Sequence, residues 1–169
     1  MPAMPSPLHE QQSRPVAMGR ALRVLVTPAA IHMPEVARHH AAGHRIVIAG
    51  DDAVGMSLAE VALPGAERLW INLRRSSELF RLRSAMEGLG GCDRMILAAR
   101  GGDLGDGVTL MQIVLAVLPI MRRQGAGEIT LLMPEGQGHD TIRAFLSEIG
   151  PELHAGGIAI TLQTGGHLN

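Results

Sequence analysis

The chain has 169 residues, 46% hydrophobic and 18% charged, enough apolar matter for one well-filled domain. All 15 basic residues are arginine and tyrosine is absent, which excludes chemistry needing a lysine amine or a phenol. The net charge of −1, with only Trp70, Phe80 and Phe145 as aromatics, argues against a nucleic-acid surface.

Residues 1–20 contain four prolines before Val16 and no apolar stretch. They read as a flexible tail and not as a signal peptide. From residue 21 to 169 short apolar runs alternate with helical patterns. Strands are predicted at 22–27, 45–49, 69–73, 94–99, 128–133 and 158–163. Helices are predicted at 33–42, 55–62, 76–89, 106–124 and 139–154. The strands are near-continuous runs of Val, Ile and Leu, the pattern of strands covered on both faces. The alternation predicts a single α/β domain, a doubly wound Rossmann-like parallel sheet of about six strands with helices on both faces.

The longest apolar run, Val108 to Met121, falls short of the roughly 18 residues of a membrane span. No membrane association is expected. Cys92 is the only cysteine, so no internal disulfide and no cysteine-based zinc site can form. A cytoplasmic location is expected.

The helix 106–124 is apolar nearly all round, apart from a stripe of Thr109, Gln112 and Ala116. Such a helix must be covered twice. The helix 139–154 carries Ile142, Phe145, Leu146, Ile149 and Leu153 at helical spacing. Met111, Val114, Leu115, Leu118 and Met121 on the first, with Ile142, Phe145, Leu146 and Ile149 on the second, are expected to form a subunit interface.

Several stretches resemble the short-chain dehydrogenase/reductase family. LAVLPIMRRQGAGEITLL (115–132) is similar to that family's helix ending in Leu-Pro-x-Met-Arg and the strand after it. RAFLSEIGPELHAGGIAITLQTGG (143–166) is similar to the next helix and the last core strand. RVLVT (23–27) with AAGHRIVIAGDD (41–52) resembles the first βαβ unit, and CDRMILAARGG (92–102) the fourth strand and its loop. Together these matches cover residues 22–166.

The resemblance implies a nicotinamide cofactor on a Gly-rich turn after the first strand. Here that turn reads Thr27, Pro28, Ala29, Ala30, with no glycine before Gly43. Prolines lack an N–H, and Cβ atoms block close approach of a pyrophosphate. Asp51 and Asp52 stand where the family binds the cofactor ribose, a possible vestige of that contact. The family's catalytic Asn, Ser, Tyr and Lys fall on Asp106, Pro134 (or Met133), Glu135 and His139. None of the four types is kept. The resemblance therefore implies a truncated, catalytically degenerate member, with no cofactor and no catalytic residue.

Other constellations are weaker. His39, His40 and His44 form a cluster in which His40 and His44, four apart, could share a helix face, but Gly43 lies between them and ends the helix, so no metal is expected. Glu135, His139 and Asp140 could form a relocated acid/base set, with a polar loop as the plain alternative. Ser147 and His154 make no triad. Residues 101–107 form a Gly-rich loop whose aspartates would repel an anion, with Asp106 near a helix N-cap. Arg74, Arg75, Arg81 and Arg83 read as a basic patch on the third helix.

The expected function is noncatalytic, through the interface helices. The chain would be a homodimer, or the inactive, stabilising subunit of a complex with an active dehydrogenase. The alternatives are an enzyme using Glu135 and His139, or a small-molecule-binding domain with a vestigial pocket.

Overall fold

The computed structural model describes residues 19–165. The predicted tail falls almost wholly outside this range, as does Gly166. Six parallel strands form one sheet: β1 (Arg23–Val26), β2 (Arg45–Gly50), β3 (Glu67–Trp70), β4 (Arg94–Ala98), β5 (Gly127–Pro134) and β6 (Ile158–Gly165). Their order is β3-β2-β1-β4-β5-β6. Five helices connect them: α1 (Pro34–Ala41), α2 (Ala53–Ala62), α3 (Ser76–Gly88), α4 (Leu104–Gln124) and α5 (Gln137–Ala155).

Side chains alternate across each strand, so the sheet supports two cores. Leu25, Val47, Met95, Leu97, Ile129 and Leu131 pack against α3, α4 and α5. Val24, Val26, Ile46, Ile48 and Ile96 pack against α1 and α2. The second layer covers β1, β2 and β4 and does not extend over β6, where Ala159, Thr161 and Gln163 are exposed. The expectation that every strand is buried on both faces is therefore corrected for the two edges, β3 and β6. The apolar run at 69–73 was also misplaced. The strand ends at Trp70, and Asn72 then turns the chain, its Oδ1 accepting from the Arg74 amide at 2.9 Å. Ile71 is buried beyond the ladder, which is why the run looked like strand.

Helix α4 has 21 residues and starts two residues earlier than predicted. Asp103, not Asp106, is its N-cap, accepting from the Asp106 amide at 2.8 Å. Gly125, at φ 68°, closes it in the left-handed conformation. By length and composition α4 could cross a bilayer. It is instead a core helix: Leu110, Ile113, Val114, Val117, Leu118 and Met121 are buried against the sheet and its flanking helices α3 and α5.

A polar clamp closes the amino-terminal end of the sheet. The buried Arg23 guanidinium donates to both Asp93 oxygens, at 2.9 and 3.1 Å, and to the Gly90 carbonyl. Asp93 also accepts from the Arg23 amide at 2.8 Å. Gln124, at the end of α4, brackets the Cys92 backbone, accepting from its N–H and donating to its carbonyl, both at 2.8 Å. Burial pushes the Cys92 thiol up to about 12, so it is inert.

Candidate functional site

Between β1 and β4 the strand order reverses. The chain leaves β1 toward one edge of the sheet and β4 toward the other, so their carboxyl ends part and leave a crevice. Its cavity measures about 360 Å³ and is bordered by Thr27, Pro28, Asp51, Asp52, Arg74, Ala99, Arg100, Asp106 and Leu110.

The first turn of this crevice is built for packing. Thr27 is buried, and its hydroxyl accepts from the Ala98 amide at 2.9 Å and donates to the Ala98 carbonyl at 3.2 Å. Pro28–Ala30 then forms one 3-10 turn, which consumes the Ala30 and Ile31 amides on the Thr27 and Pro28 carbonyls. The Pro28 ring lies against Gly50 and Gly55; a Cβ on either would come within 2.8 Å of it. The glycines that make room thus sit opposite the turn, and a proline ring fills the room. Helix α1 opens on Pro34, which has no N–H, and holds Glu35 in its first turn. A carboxylate there opposes a bound anion. These residues do not fit a dinucleotide pyrophosphate.

Two ion pairs cross the crevice. Arg100 meets Asp52 at 2.5 Å, and Arg74 meets Asp106 at 3.1 Å. Asp51 is exposed beside them. Sequence reasoning missed both arginines. Arg74 had been assigned to a patch on the third helix, but it precedes α3 and faces the crevice. Two other members of that patch pair locally, Arg81 with Glu78 and Arg83 with Glu87.

Beside the crevice, the ends of β4 and β5 are closed by backbone on backbone. The Gly138 amide donates to the Gly102 carbonyl at 3.0 Å. A Cβ on Gly102 would strike the Pro134 and Glu135 carbonyls, and one on Gly136 would strike the Gly102 carbonyl. A Cβ on Gly107 would lie 2.6 Å from Gly138 Cα. A side chain at any of these glycines would push the two loops apart.

The four positions matched to catalytic residues are dispersed. Asp106 lines the crevice. Pro134 is buried at the end of β5, and Glu135 and Asp140 are exposed. His139 is buried, 2% exposed, and turned toward β6. Its Nε2 lies 3.0 Å from Thr164 Oγ1 and its Nδ1 3.3 Å from the Arg143 guanidinium. Among the described residues no hydrogen bond joins Glu135, His139 and Asp140. Ser147 donates to the Arg143 carbonyl, and His154 is exposed.

The interface set needs correction. Val114, Leu118, Met121 and Ile142 lie in the chain's own core at 2% exposure or less and offer nothing to a partner. The second cover that α4 demanded is largely its own neighbours, α3 and α5. Met111, Phe145, Leu146 and Ile149 are half-buried, and Leu115 is 50% exposed.

The His39 and His44 rings stand 5.3 Å apart, tilted, but the polar atoms of His40 and His44 are spent elsewhere. His44 Nδ1 accepts from the Leu22 amide at 2.9 Å, and His40 Nε2 donates to the Pro64 carbonyl at 2.9 Å. Burial, with Arg94 nearby, lowers the pKa of His39. Among the described residues no group of three potential ligands forms a metal site.

No family model matches the sequence, and no curated protein does either. Solved structures do match the fold. A metagenomic short-chain oxidoreductase in complex with NADP superposes with a TM-score of 0.69 at 17% identity, over 86% of this chain and 82% of that one. A short-chain dehydrogenase from Streptomyces avermitilis gives 0.66 at 15% identity, over 89% and 67%. NAD+-bound xylitol dehydrogenase gives 0.69 at 15% identity, over 85% and 69%. The chain has the fold of the short-chain dehydrogenases/reductases.

Proposed function

We propose that the chain is a noncatalytic protein on a short-chain-dehydrogenase fold. It works through the outer face of α4 and α5, as a homodimer or as the stabilising subunit of an active dehydrogenase. The observation that carries this reading is the glycine contact between the β4–α4 and β5–α5 loops. The resemblance puts the family's catalytic positions in and beside these loops, at Asp106, Pro134, Glu135 and His139. Here the glycines hold two backbones in van der Waals contact. The proline in the first turn and the ion pairs across the crevice point the same way.

The active face of the molecule is then the helix layer. Leu115 and, on α3, Phe80 at 71% are exposed, and Met111, Phe145 and Ile149 keep part of their surface. Exposed aliphatic and aromatic side chains on adjacent helices suit a partner helix pair. A cytoplasmic setting belongs to this reading. The remaining crevice supports a second reading, a small-molecule-binding domain, because about 360 Å³ is room enough for a metabolite.

Light scattering at micromolar concentration and calorimetric titration with NAD, NADH, NADP and NADPH test the proposal together. A dimer, or a stoichiometric complex with a dehydrogenase, and no heat with any dinucleotide are expected. A monomer with no co-purifying partner would overturn the interface. Micromolar binding of any dinucleotide would overturn the noncatalytic reading.

A further inference from the structure

Helix α2 carries an apolar face that nothing among the described residues covers. Gly55, Met56 and Ala59 turn inward, while Val54, Leu58 and Val61 stand at 65%, 46% and 82% exposure. Spaced at i, i+4 and i+7, they form one crest along the outside of the helix. At the amino end of α2 the crest runs into a groove of about 300 Å³ beside the first turn, walled by Pro28, Ala29, Ile31, Val54 and Leu58. This face lies on the opposite side of the sheet from α4 and α5, so it takes no part in the proposed pairing.

The face is too small for a second copy. A helix of 10 residues is about 15 Å long and 10 Å wide, about 150 Å² in projection, against the roughly 800 Å² per partner of a stable pair. A short extended segment matches it, and the chain has one. Residues 1–18 precede the described ones; MPAMPSPL (1–8) is apolar and rich in proline, and HEQQSR (9–14) is polar.

The described chain begins on the same side of the sheet as α2. Leu22 packs into the α1–α2 core, and its amide donates to His44 Nδ1 at 2.9 Å. The bond from His40 Nε2 to the Pro64 carbonyl, at 2.9 Å, sets the carboxyl end of α2 beside that of α1. A hollow of about 330 Å³ joins these points, bordered by His40, His44, Pro64 and Glu67. From the start of β1 to α2 is about two strand spacings across and one layer up, under about 20 Å. Residues 9–18, extended, can span about 30 Å.

We propose that residues 1–8 dock on α2 of their own chain. The segment follows the hollow from Leu22, Leu8 meets Val61, and Met4 with Pro5 enters the groove beside Val54 and Leu58. Prolines at 2, 5 and 7 suit an extended segment and lower the entropy lost on docking. In cis the segment meets α2 at an effective concentration on the order of millimolar, so a contact too weak for a separate partner is enough. Pro28, Ala29 and Arg100 line both the groove and the crevice, so the docked end lies at the crevice rim.

The test is paramagnetic broadening in the full chain with a nitroxide on Ser6→Cys. The buried Cys92 thiol stays unlabelled. The amides of Val54, Leu58 and Val61 are expected to lose most of their intensity, and those of α5, across the sheet, to keep theirs. Val54→Ser with Val61→Ser should lower the docked population about fivefold and restore the signals. Met4→Ser with Leu8→Ser should do the same without touching the folded domain. Circular dichroism on each variant checks that the fold is kept. Absence of broadening on α2, equal broadening on both faces of the sheet, or unchanged broadening in either folded double variant would each overturn the proposal. Broadening of an isotope-labelled chain by a nitroxide on a separate, unenriched chain would overturn it too, since the occupant would then be a second copy.

Discussion

Arg23 and Asp93 show how one buried ion pair can hold a sheet to its turn. Burial alone would raise the Asp93 pKa, but three bonds from Arg23, with Arg20 at 2.9 Å, hold it down to about 2. The ordinary value is 3.8. A carboxyl whose folded pKa is depressed stabilises the fold above its unfolded pKa. That contribution, about 2 kcal/mol, is lost as the pH falls from 4 toward 2. Asp93→Asn should therefore lower stability by about 2 kcal/mol at pH 7 and flatten the acid limb of a urea-denaturation profile. A variant with the acid limb of the parent would show that Asp93 is not the titrating group. Arg23→Met should cost more, about 3 kcal/mol, because it leaves a carboxylate unpaired in a partly buried setting. None of this was legible in the sequence. Arg23 lies in the predicted strand 22–27 and Asp93 just before the one at 94–99, and neither stretch marks the two as partners. Their meeting requires β1 and β4 to be neighbours, which only the strand order supplies.

At the scale of the elements, the crossing of α4 and α5 decides most. Gly107 and Gly138 let the two helices touch at backbone distance. Gly107→Ala should destabilise the fold by about 2 kcal/mol, since neither backbone can yield to the new methyl group. Equilibrium unfolding in urea reads this directly, and a neutral result would mean the loops are looser than the contact implies. The strands and helices were legible because apolar periodicity survives without any knowledge of neighbours. The exposure of the proposed interface residues was legible only in part. An apolar helix records that it is covered and not by what, so Val114, Leu118, Met121 and Ile142 looked available although α3, α5 and the sheet already cover them. The residues left for a partner are fewer, which sharpens the test. Leu115→Glu with Phe145→Glu adds two charges to the outer face without entering the core. It should convert a dimer to monomers by light scattering with a melting temperature nearly unchanged. A dimer that persists in this double variant would mean that some other surface pairs.

The whole molecule is a lopsided sandwich, and its stability should be graded accordingly. Three helices cover one face of the sheet, and two cover the other only as far as β4. The departure from the family's catalytic residues was readable from residue types alone, because a missing phenol, amine and Gly-rich turn need no geometry. The close approach of Gly102 to Gly136 was not, because glycine contacts between distant loops leave no local pattern. The same holds for the uncovered edge. β6 reads as a buried strand, yet among the described residues it pairs only with β5, and Ala159, Thr161 and Gln163 face outward. In an edge strand about half of the amides point away from the ladder. Native-state hydrogen exchange should therefore rank the sheet. β1 and β4, covered on both faces, should open only with global unfolding, while β3 and the outward amides of β6 should exchange through local fraying orders of magnitude faster. This ranking discriminates between modes of assembly. Pairing through α4 and α5 leaves the β6 edge in water, so its outward amides stay fast in the dimer. If those amides are instead protected as strongly as β4, a strand from another chain is paired with β6, and the helix layer is not the principal interface.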